Sequence, residues 1–170
     1  MVFVTPRSRT IPDGLPATDT TVDVLVVGSG AGMAAALAAR ERGLSVLIVE
    51  KADQVGGSTA RSGGALWLPA TPLLLKNGAA DSPERARSYL SALVADSAPQ
   101  YRWAAFLANL TATIDMLLRT TGMRLFWARD YADYHPEYPG GTATGRTCEC
   151  RPFNAAVLGE YQDRLRPGLM

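Results

Sequence analysis

The feature that most constrains this chain is an apolar segment that runs directly into a glycine-rich turn. Residues 22–27 are apolar and mostly β-branched apart from Asp23, and Gly28, Gly30 and Gly32 follow at every second position. Such an apolar run is typical of a strand in a parallel sheet that is buried on both faces. The alanine-rich segment after the turn favours a helix. The sequence therefore predicts a strand, a tight turn and a helix in immediate succession.

A second strand and an acidic residue complete this pattern. The predicted helix covers residues 33–42 and ends at Gly43, and residues 45–49 form a second apolar strand. Strand, helix and strand in this order make a βαβ unit with parallel strands. Glu50 follows the turn by about 20 residues, the spacing at which a carboxylate accepts hydrogen bonds from the ribose of a bound dinucleotide. The predicted fold class is α/β with a Rossmann-like βαβ unit.

The spacing of the three glycines departs from the usual dinucleotide fingerprint. We expect Gly28 to permit the tight turn, Gly30 to let a pyrophosphate approach the backbone, and a third glycine to let the helix pack closely on the strand. The usual pattern is G-x-G-x-x-G, whereas Gly32 comes one residue early. Dinucleotide binding remains the favoured interpretation, and a Rossmann-like turn that packs without a ligand is the alternative.

Two further clusters of glycine and hydroxyl residues follow Glu50 almost at once. They cover residues 56–59 and 62–64, where an NAD-binding domain would continue into an ordinary crossover helix. Backbone amides and hydroxyls of this kind suit an elongated cofactor, and the alternative is a mobile surface loop. The candidate cofactor-binding residues are Gly28, Ser29, Gly30, Ala31, Gly32, Glu50, Lys51, Gly56, Gly57, Ser58, Thr59, Ser62, Gly63 and Gly64.

Composition excludes several classes of function. The formal net charge is +1 and the basic residues are scattered, so we expect no nucleic-acid partner. Cys148 and Cys150 have a single histidine, His135, to accompany them, which is too few ligands for a structural zinc site. We therefore predict no metal and two reduced thiols. Residues 1–21 lack the apolar core of a signal peptide, and no stretch reaches the roughly 18 apolar residues of a membrane span, so a cytoplasmic location is expected.

Helical patterns occupy the middle of the chain. Residues 70–80 are predicted to be a connector, and Ser82 and Pro83 form a typical helix start with an N-cap serine and a proline in the first turn. A longer helical pattern follows from Trp103 to Gly122. Its apolar stripe predicts a helix that packs in the core, and a short strand is expected at 124–127.

The loop at 131–141 holds three tyrosines and the histidine of the chain, together with several turn-forming residues. From composition, an aromatic surface loop and the proton-handling edge of an apolar pocket are equally supported. Tyr134 and His135 are the catalytic candidates on the second interpretation, because both carry groups that exchange protons.

The sequence resembles the flavoprotein family that includes the 3-ketosteroid dehydrogenases and the fumarate reductase flavoprotein subunit. The matching segments are 26–30, 49–51, 56–59 and 62–69. The resemblance implies that FAD is the cofactor and that these segments contact its adenosine, its pyrophosphate and part of the flavin.

The loop at 131–141, with residues 145–147, 152–154 and 165–167, is similar to the 3-ketosteroid Δ1-dehydrogenases. This similarity implies dehydrogenation of a 3-ketosteroid or a similar bulky ketone, with hydride transfer to the flavin and an unidentified electron acceptor. A tyrosine before the proline of this loop helps catalysis in that family, and His135 stands at this position here. The alternatives are a fumarate reductase-like flavoprotein and a truncated, non-catalytic fragment that does not bind FAD.

The members of that family are much longer than this chain, so the sequence is interpreted as an N-terminal piece. We predict a flexible lead-in at 1–21 and a partial FAD-binding domain at 22–170. In this interpretation the domain is incomplete: the βαβ unit is followed by a helical segment and by the start of a substrate domain from about residue 124. We expect the isolated chain to be inactive and poorly stable.

Overall fold

The computed structural model describes the backbone of residues 3–4 and all of residues 19–168. The chain divides into two compact units. One is built from the described parts of Met1–Gly64 and Pro152–Met170, and the other is Ala65–Arg151. Strands and helices are mixed in the predicted α/β manner.

The first unit contains the predicted βαβ arrangement. Strands β1 (Phe3–Val4), β2 (Val24–Val27) and β3 (Val46–Val49) form a parallel sheet in the order β1-β3-β2, and helix α1 (Gly32–Glu41) connects β2 to β3. Strand β1 was not predicted, because it lies within the expected flexible lead-in. Most of that lead-in falls outside the described residues.

The core of this unit lies between α1 and one face of the sheet. Val26, Ala36 and Ile48 are buried there. Side chains alternate between the two faces of a strand, so Leu25 and Val27 point the other way and are 58% and 81% exposed. The prediction that this first strand is buried on both faces is therefore wrong for the described chain, since α1 covers one face of the sheet.

The glycine-rich segment after β3 contains regular secondary structure. A short helix, α2 (Gly57–Arg61), forms within it. Just before this helix, Val55 pairs with Leu165 through an isolated parallel bridge, and the segment Ala155–Arg164 that precedes Leu165 is largely 3₁₀-helical. The end of the described chain thus lies beside the second glycine cluster, residues 56–59.

The second unit combines an antiparallel sheet with three helices. Its strands are ordered β4-β6-β5. The bounds are β4 Leu66–Trp67, α3 Pro72–Lys76, α4 Pro83–Val94, α5 Gln100–Thr120, β5 Leu125–Trp127 and β6 Thr147–Cys150.

The stretch of chain from α3 to α5 supplies a helix cap and most of the buried core of this unit. Ser82 caps α4 as predicted, since its Oγ accepts a hydrogen bond from the Arg85 amide at 3.2 Å. The prediction of an irregular connector at 70–80 is wrong in its middle, because α3 forms there around the fully buried Leu74. The core comprises Leu68, Leu74, Leu110, Ile114 and Cys148.

Both cysteines are free thiols in β6. Burial raises the pKa of Cys148 to about 11. Among residues 3–4 and 19–168, no cluster of potential metal ligands occurs. No helix in the described part of the chain is long and apolar enough to cross a membrane.

Candidate functional site

The first glycine turn, residues 28–32, begins with a residue in the left-handed conformation and then packs against the second glycine cluster, residues 56–59. Gly28 has a φ of +95°, a conformation that favours glycine, and its amide donates to the Val49 carbonyl at 2.8 Å. A Cβ atom on Gly30 would lie 3.4 Å from Thr59 Oγ1 and 3.5 Å from the Gly56 carbonyl oxygen. The first turn and the second cluster therefore meet at backbone distance.

Gly32 retains the packing role expected of a third glycine despite its early position. A Cβ atom there would lie 2.7 Å from Val26 Cγ1, which is closer than packed atoms approach. The absence of a side chain thus lets α1 lie directly on β2. The turn is shortened between Gly30 and the helix, which begins at Gly32.

The start of α1 offers free amide donors. The Met33 and Ala34 amides bond to the carbonyls of Gly30 and Ala31, both at 3.1 Å. Within the part of the chain that the structure describes, the amides of Gly30, Ala31 and Gly32 donate to no acceptor. Unpaired amides at a helix N-terminus bind phosphate oxygens, and the helix dipole adds a favourable field. The turn therefore fits the pyrophosphate of a dinucleotide.

Glu50 lies beside this turn, and its carboxylate accepts three hydrogen bonds from neighbouring residues of the protein. Its Oε2 accepts hydrogen bonds from the Ser29 amide at 2.9 Å and from Ser29 Oγ at 2.5 Å, while Oε1 accepts from the Ala52 amide at 2.9 Å. The bond from the Ala52 amide, followed by those from Ser29, lowers the pKa of Glu50 to about 2. The carboxylate is therefore ionised at neutral pH.

Ser29 links this acid to the second glycine cluster. It is 2% exposed, and its Oγ accepts a hydrogen bond from the Gly56 amide at 2.8 Å. Gly56 has a φ of +111° and Gly57 of +53°, after which α2 carries Ser58 and Thr59. The structure thus brings together the first turn, Glu50 and the start of the second cluster.

The remaining predicted cofactor residues are less closely joined to this group. Lys51 is exposed. Ser62, Gly63 and Gly64 form a local turn in which Ser62 Oγ accepts from the Gly64 amide at 3.1 Å. Their role toward a cofactor stays a prediction.

A separate cavity of about 220 Å³ opens in the second unit. Its wall is mainly aromatic and aliphatic, and no lysine or arginine lines it. The principal lining residues are Trp67, Tyr89, Leu90, Leu93, Tyr131 and Tyr134.

A buried arginine supports this aromatic wall. Arg146 is fully buried, and its guanidinium lies 5.7 Å from the centre of the Trp67 ring and 5.5 Å from that of Tyr89. Its Nε and Nη2 donate to the two Asp81 oxygens at 2.9 and 2.8 Å, and its Nη1 donates to Asp133. The buried guanidinium is therefore paired with a carboxylate on each of two sides.

Asp133 connects the loop at 131–141 to the cavity wall through hydrogen bonds. Its Oδ1 accepts from Trp67 Nε1 at 2.8 Å, and its Oδ2 accepts from the Thr142 amide at 3.2 Å in addition to Arg146. Arg146 also donates to the Gly140 carbonyl at 2.6 Å. The sequence patterns did not indicate this network. Asp81 lies 65 residues before Arg146 in the chain, and no local pattern marks either Asp81 or Asp133 as its partner.

The two predicted catalytic residues occupy different settings. Tyr134 lines the cavity and is 84% exposed. The His135 ring stacks on Tyr138 with centroids 4.8 Å apart, and its Nδ1 lies 3.0 Å from Glu137 Oε1. The His135 ring thus contacts residues of its own loop. The catalytic roles of Tyr134 and His135 stay predictions.

Tyr89 is a cavity residue that the sequence patterns did not single out. It is buried, and its hydroxyl oxygen accepts a hydrogen bond from the His135 amide at 3.3 Å. Burial raises the pKa of Tyr89, so the phenol stays protonated at neutral pH.

Comparison with known proteins identifies the family. Residues 23–167 match the family model described as FAD binding domain. This chain belongs to that family, and FAD is its cofactor. The free amides at the start of α1 and the two glycine segments that meet there fit this assignment.

Named relatives share most of this chain's length but are much longer. The 3-oxosteroid 1-dehydrogenase of Mycolicibacterium smegmatis is 45% identical over 146 residues, which are 85% of this chain and 26% of that protein. The 4-oxocyclohex-2-ene-1-carboxylate 5-dehydrogenase of Sinomonas cyclohexanicum is 36% identical over 146 residues, 85% of this chain and 24% of that protein. The chain thus spans about a quarter of the length of these relatives.

A solved structure agrees with this relationship. The crystal structure of 3-ketosteroid delta1-dehydrogenase from Sterolibacterium denitrificans, in complex with 1,4-androstadiene-3,17-dione, superposes with a TM-score of 0.80. It is 38% identical, and the match covers 86% of this chain and 26% of that one.

Proposed function

We propose that this chain is the FAD-binding part of a flavin-dependent dehydrogenase that acts on a 3-ketosteroid or a similarly bulky cyclic ketone. The observation that carries the proposal is the aromatic, cation-free cavity wall in a chain of this family. When bound, FAD would accept the hydride that the substrate loses. Reoxidation of the flavin requires an electron acceptor.

The first unit's contribution is binding and orientation. The free amides of Gly30, Ala31 and Gly32 would hold the pyrophosphate, and the bare backbone at Gly30 leaves room for its approach. Ser58 and Thr59, on the short helix that follows, would add hydroxyl donors. These assignments follow from the donors' positions beside the turn.

The cavity wall favours a bulky apolar substrate over a small dicarboxylate. A dicarboxylate site needs cations that clamp both carboxylates, commonly arginines. No lysine or arginine lines this cavity, and the Arg146 guanidinium behind the wall is engaged by Asp81 and Asp133. The fumarate reductase-like alternative is therefore disfavoured.

The size of the cavity indicates that it is one part of a substrate site. Its volume of about 220 Å³ falls below the roughly 300 Å³ at which pockets for drug-sized ligands begin. Such a partial wall is consistent with a chain that spans about a quarter of its relatives' length.

Of the two catalytic candidates, Tyr134 has the better supported role. Its side chain lines the cavity, whereas the His135 ring is engaged by Tyr138 and Glu137. We assign proton handling at the substrate to Tyr134 and positioning of the loop to His135. A cytoplasmic location, expected because residues 1–21 lack the apolar core of a signal peptide and no stretch has the length of a membrane span, is also part of this proposal.

A binding titration tests the substrate class. Because Trp67 lies in the cavity wall, a ligand that enters should change the tryptophan fluorescence of the purified chain. We expect a saturable change with 4-androstene-3,17-dione and none with fumarate. Leu93→Asp, which places a charge in the wall, should weaken the steroid response at least tenfold, while Leu75→Asp, at an exposed site away from the cavity, should not. A saturable response to fumarate alone would contradict the proposal.

A further inference from the structure

The cavity of the second unit is lined by segments that are far apart in the sequence. Trp67, at the end of β4, contributes its indole, and the loop at 131–141 contributes Tyr131 and Tyr134. Strand β4 has two residues, and its pairing with β6 fixes the backbone of Trp67 but not the torsions of its side chain. The spacing between the indole and the loop therefore depends on side-chain contacts.

One hydrogen bond joins the indole to the loop. Asp133, which directly precedes Tyr134, is 5% exposed, and its Oδ1 accepts from Trp67 Nε1 at 2.8 Å. The N–H is the polar group of an indole, so this bond satisfies it. The indole also stacks on Phe106, with ring centroids 6.2 Å apart and an interplanar angle of 17°. The Trp67 ring is thus constrained at its edge and on a face.

The carboxylate of Asp133 is fixed in turn by two other donors. Its Oδ2 accepts from Arg146 Nη1 and from the Thr142 amide. Arg146 also donates to the Gly140 carbonyl at 2.6 Å, near the far end of the same loop. A carboxylate accepts on both oxygens and so serves the indole and these donors together, whereas an amide has one acceptor oxygen and an NH₂ donor. The indole bond therefore requires an acid at this position.

We propose that Asp133 is a positioning residue for substrate selection: its bond to the indole fixes Trp67 relative to Tyr134, so that a rigid, bulky ketone meets a preformed wall. A wall that is already ordered avoids the loss of side-chain freedom when a ligand binds. The inference rests on the proposed function for the class of ligand. The position of the indole is a property of the chain without ligand and is tested separately.

Asp81 provides a matched control for Asp133. It accepts from Arg146 at 2.9 and 2.8 Å and from one backbone amide, that of Ala70, at 2.7 Å. The side chains of the two acids are 2% and 0% exposed, and both pair with the same guanidinium. The bond to the Trp67 indole belongs to Asp133. Asp81→Asn therefore removes an equivalent buried charge and leaves the indole bond in place.

Asp133→Asn is expected to break the indole bond without changing the size of the side chain. Hydrogen bonds from a charged donor are the stronger ones, so the single amide oxygen would face Arg146. The amide NH₂ would then face Trp67 Nε1, and two donors cannot bond to each other. The indole loses its acceptor in this variant.

The first test needs no ligand. Hydrogen–deuterium exchange of the Trp67 indole N–H is measured by NMR in the 170-residue chain and should be at least about tenfold slower than in N-acetyltryptophanamide. Asp133→Asn should speed it about tenfold, and Asp81→Asn less than about twofold, although urea unfolding should show similar losses of stability in both. Equal acceleration in the two variants would overturn the proposal. So would an indole N–H that is unprotected in the unmodified chain, whether or not the variants fold.

The second test uses 4-androstene-3,17-dione and equilibrium dialysis, which does not depend on tryptophan fluorescence. Asp133→Asn should weaken binding at least about fivefold, and Asp81→Asn less than about twofold. Trp67→Phe has no indole N–H to hold, so adding Asp133→Asn to that variant should cause no further loss. The same fivefold loss in the Trp67→Phe background would show that Asp133 does not act through the indole and would overturn the proposal.

The two tests separate this inference from the proposed function. If the unmodified chain does not bind the steroid, the proposed function fails, and the exchange rate of the Trp67 indole alone decides whether Asp133 positions the ring. If the steroid binds and Asp133→Asn binds it as tightly as the unmodified chain, the proposed function stands and this inference fails.

Discussion

Gly32→Ala places a methyl group where α1 lies directly on β2. The new Cβ would stand 2.7 Å from Val26 Cγ1 in the core of the first unit. Valine is β-branched and stiff at χ1, so it does not swing aside cheaply. Overpacking of this kind costs about 1–3 kcal/mol, whereas the helix propensity gained on replacing glycine by alanine is at most about 1 kcal/mol. We expect a net loss of about 1–2 kcal/mol in the free energy of unfolding.

Urea unfolding followed by far-ultraviolet circular dichroism measures this change. Gly122→Ala is the matched control, because a Cβ atom there meets nothing within 4 Å and its backbone is not left-handed. In a Val26→Ala background the clash disappears, so Gly32→Ala should cost nothing or stabilise slightly. A Gly32→Ala chain as stable as the unmodified one would contradict the close packing of α1 on β2 at this glycine.

Three further predictions concern charge, pH and thiol reactivity. Arg146→Met should destabilise the chain by about 3–5 kcal/mol, because it leaves Asp81 and Asp133 buried without their cation. Urea unfolding measures this loss. The control Arg129→Met, at an exposed arginine, should have little effect. The pKa of Glu50 is lowered to about 2 in the fold, so its contribution to stability is present above the unfolded value near 4.5 and is lost as the pH falls toward 2. Glu50→Gln should therefore lose less stability than the unmodified chain between pH 5 and 2, and equal losses would contradict this. Iodoacetamide should modify Cys150 well before Cys148, because Cys148 is fully buried with a pKa near 11; mass spectrometry after partial labelling checks the order.

Local patterns predicted part of the fold, while strands β4 and β6, helix α2 and the 3₁₀-helical segment Ala155–Arg164 were not predicted. The βαβ unit, the cap at Ser82 and the strand at Leu125–Trp127 follow from periodicity and from residues that start or stop helices, all of which act over a few positions. The helix at Pro72–Lys76 was missed because its proline and glycine neighbours indicate a connector, while burial of Leu74 decided the outcome. Tertiary packing there outweighed the local signal.

The candidate sites were predictable to different extents. The first glycine turn and Glu50 follow from sequence spacing, but the engagement of Glu50 by Ser29 and Ala52 does not, because it depends on how the shortened turn is folded. The Arg146 network depends on a pairing with Asp81 across 65 residues of sequence, and a single sequence shows no such pairing. The aromatic loop was identified, but Tyr89 was not, because a tyrosine on an amphipathic helix gives no distinctive pattern.

We expect this chain to bind FAD through its first glycine turn. The direct measurement is a titration of FAD with the purified chain, followed by flavin fluorescence anisotropy, with Gly30→Val as the comparison. The valine side chain would meet Thr59 Oγ1 and the Gly56 carbonyl oxygen and fill the approach to the turn. We predict saturable binding by the unmodified chain and at least tenfold weaker binding by Gly30→Val. Anisotropy that stays at the value of free FAD throughout the titration would show that the chain does not bind the cofactor, contrary to this prediction.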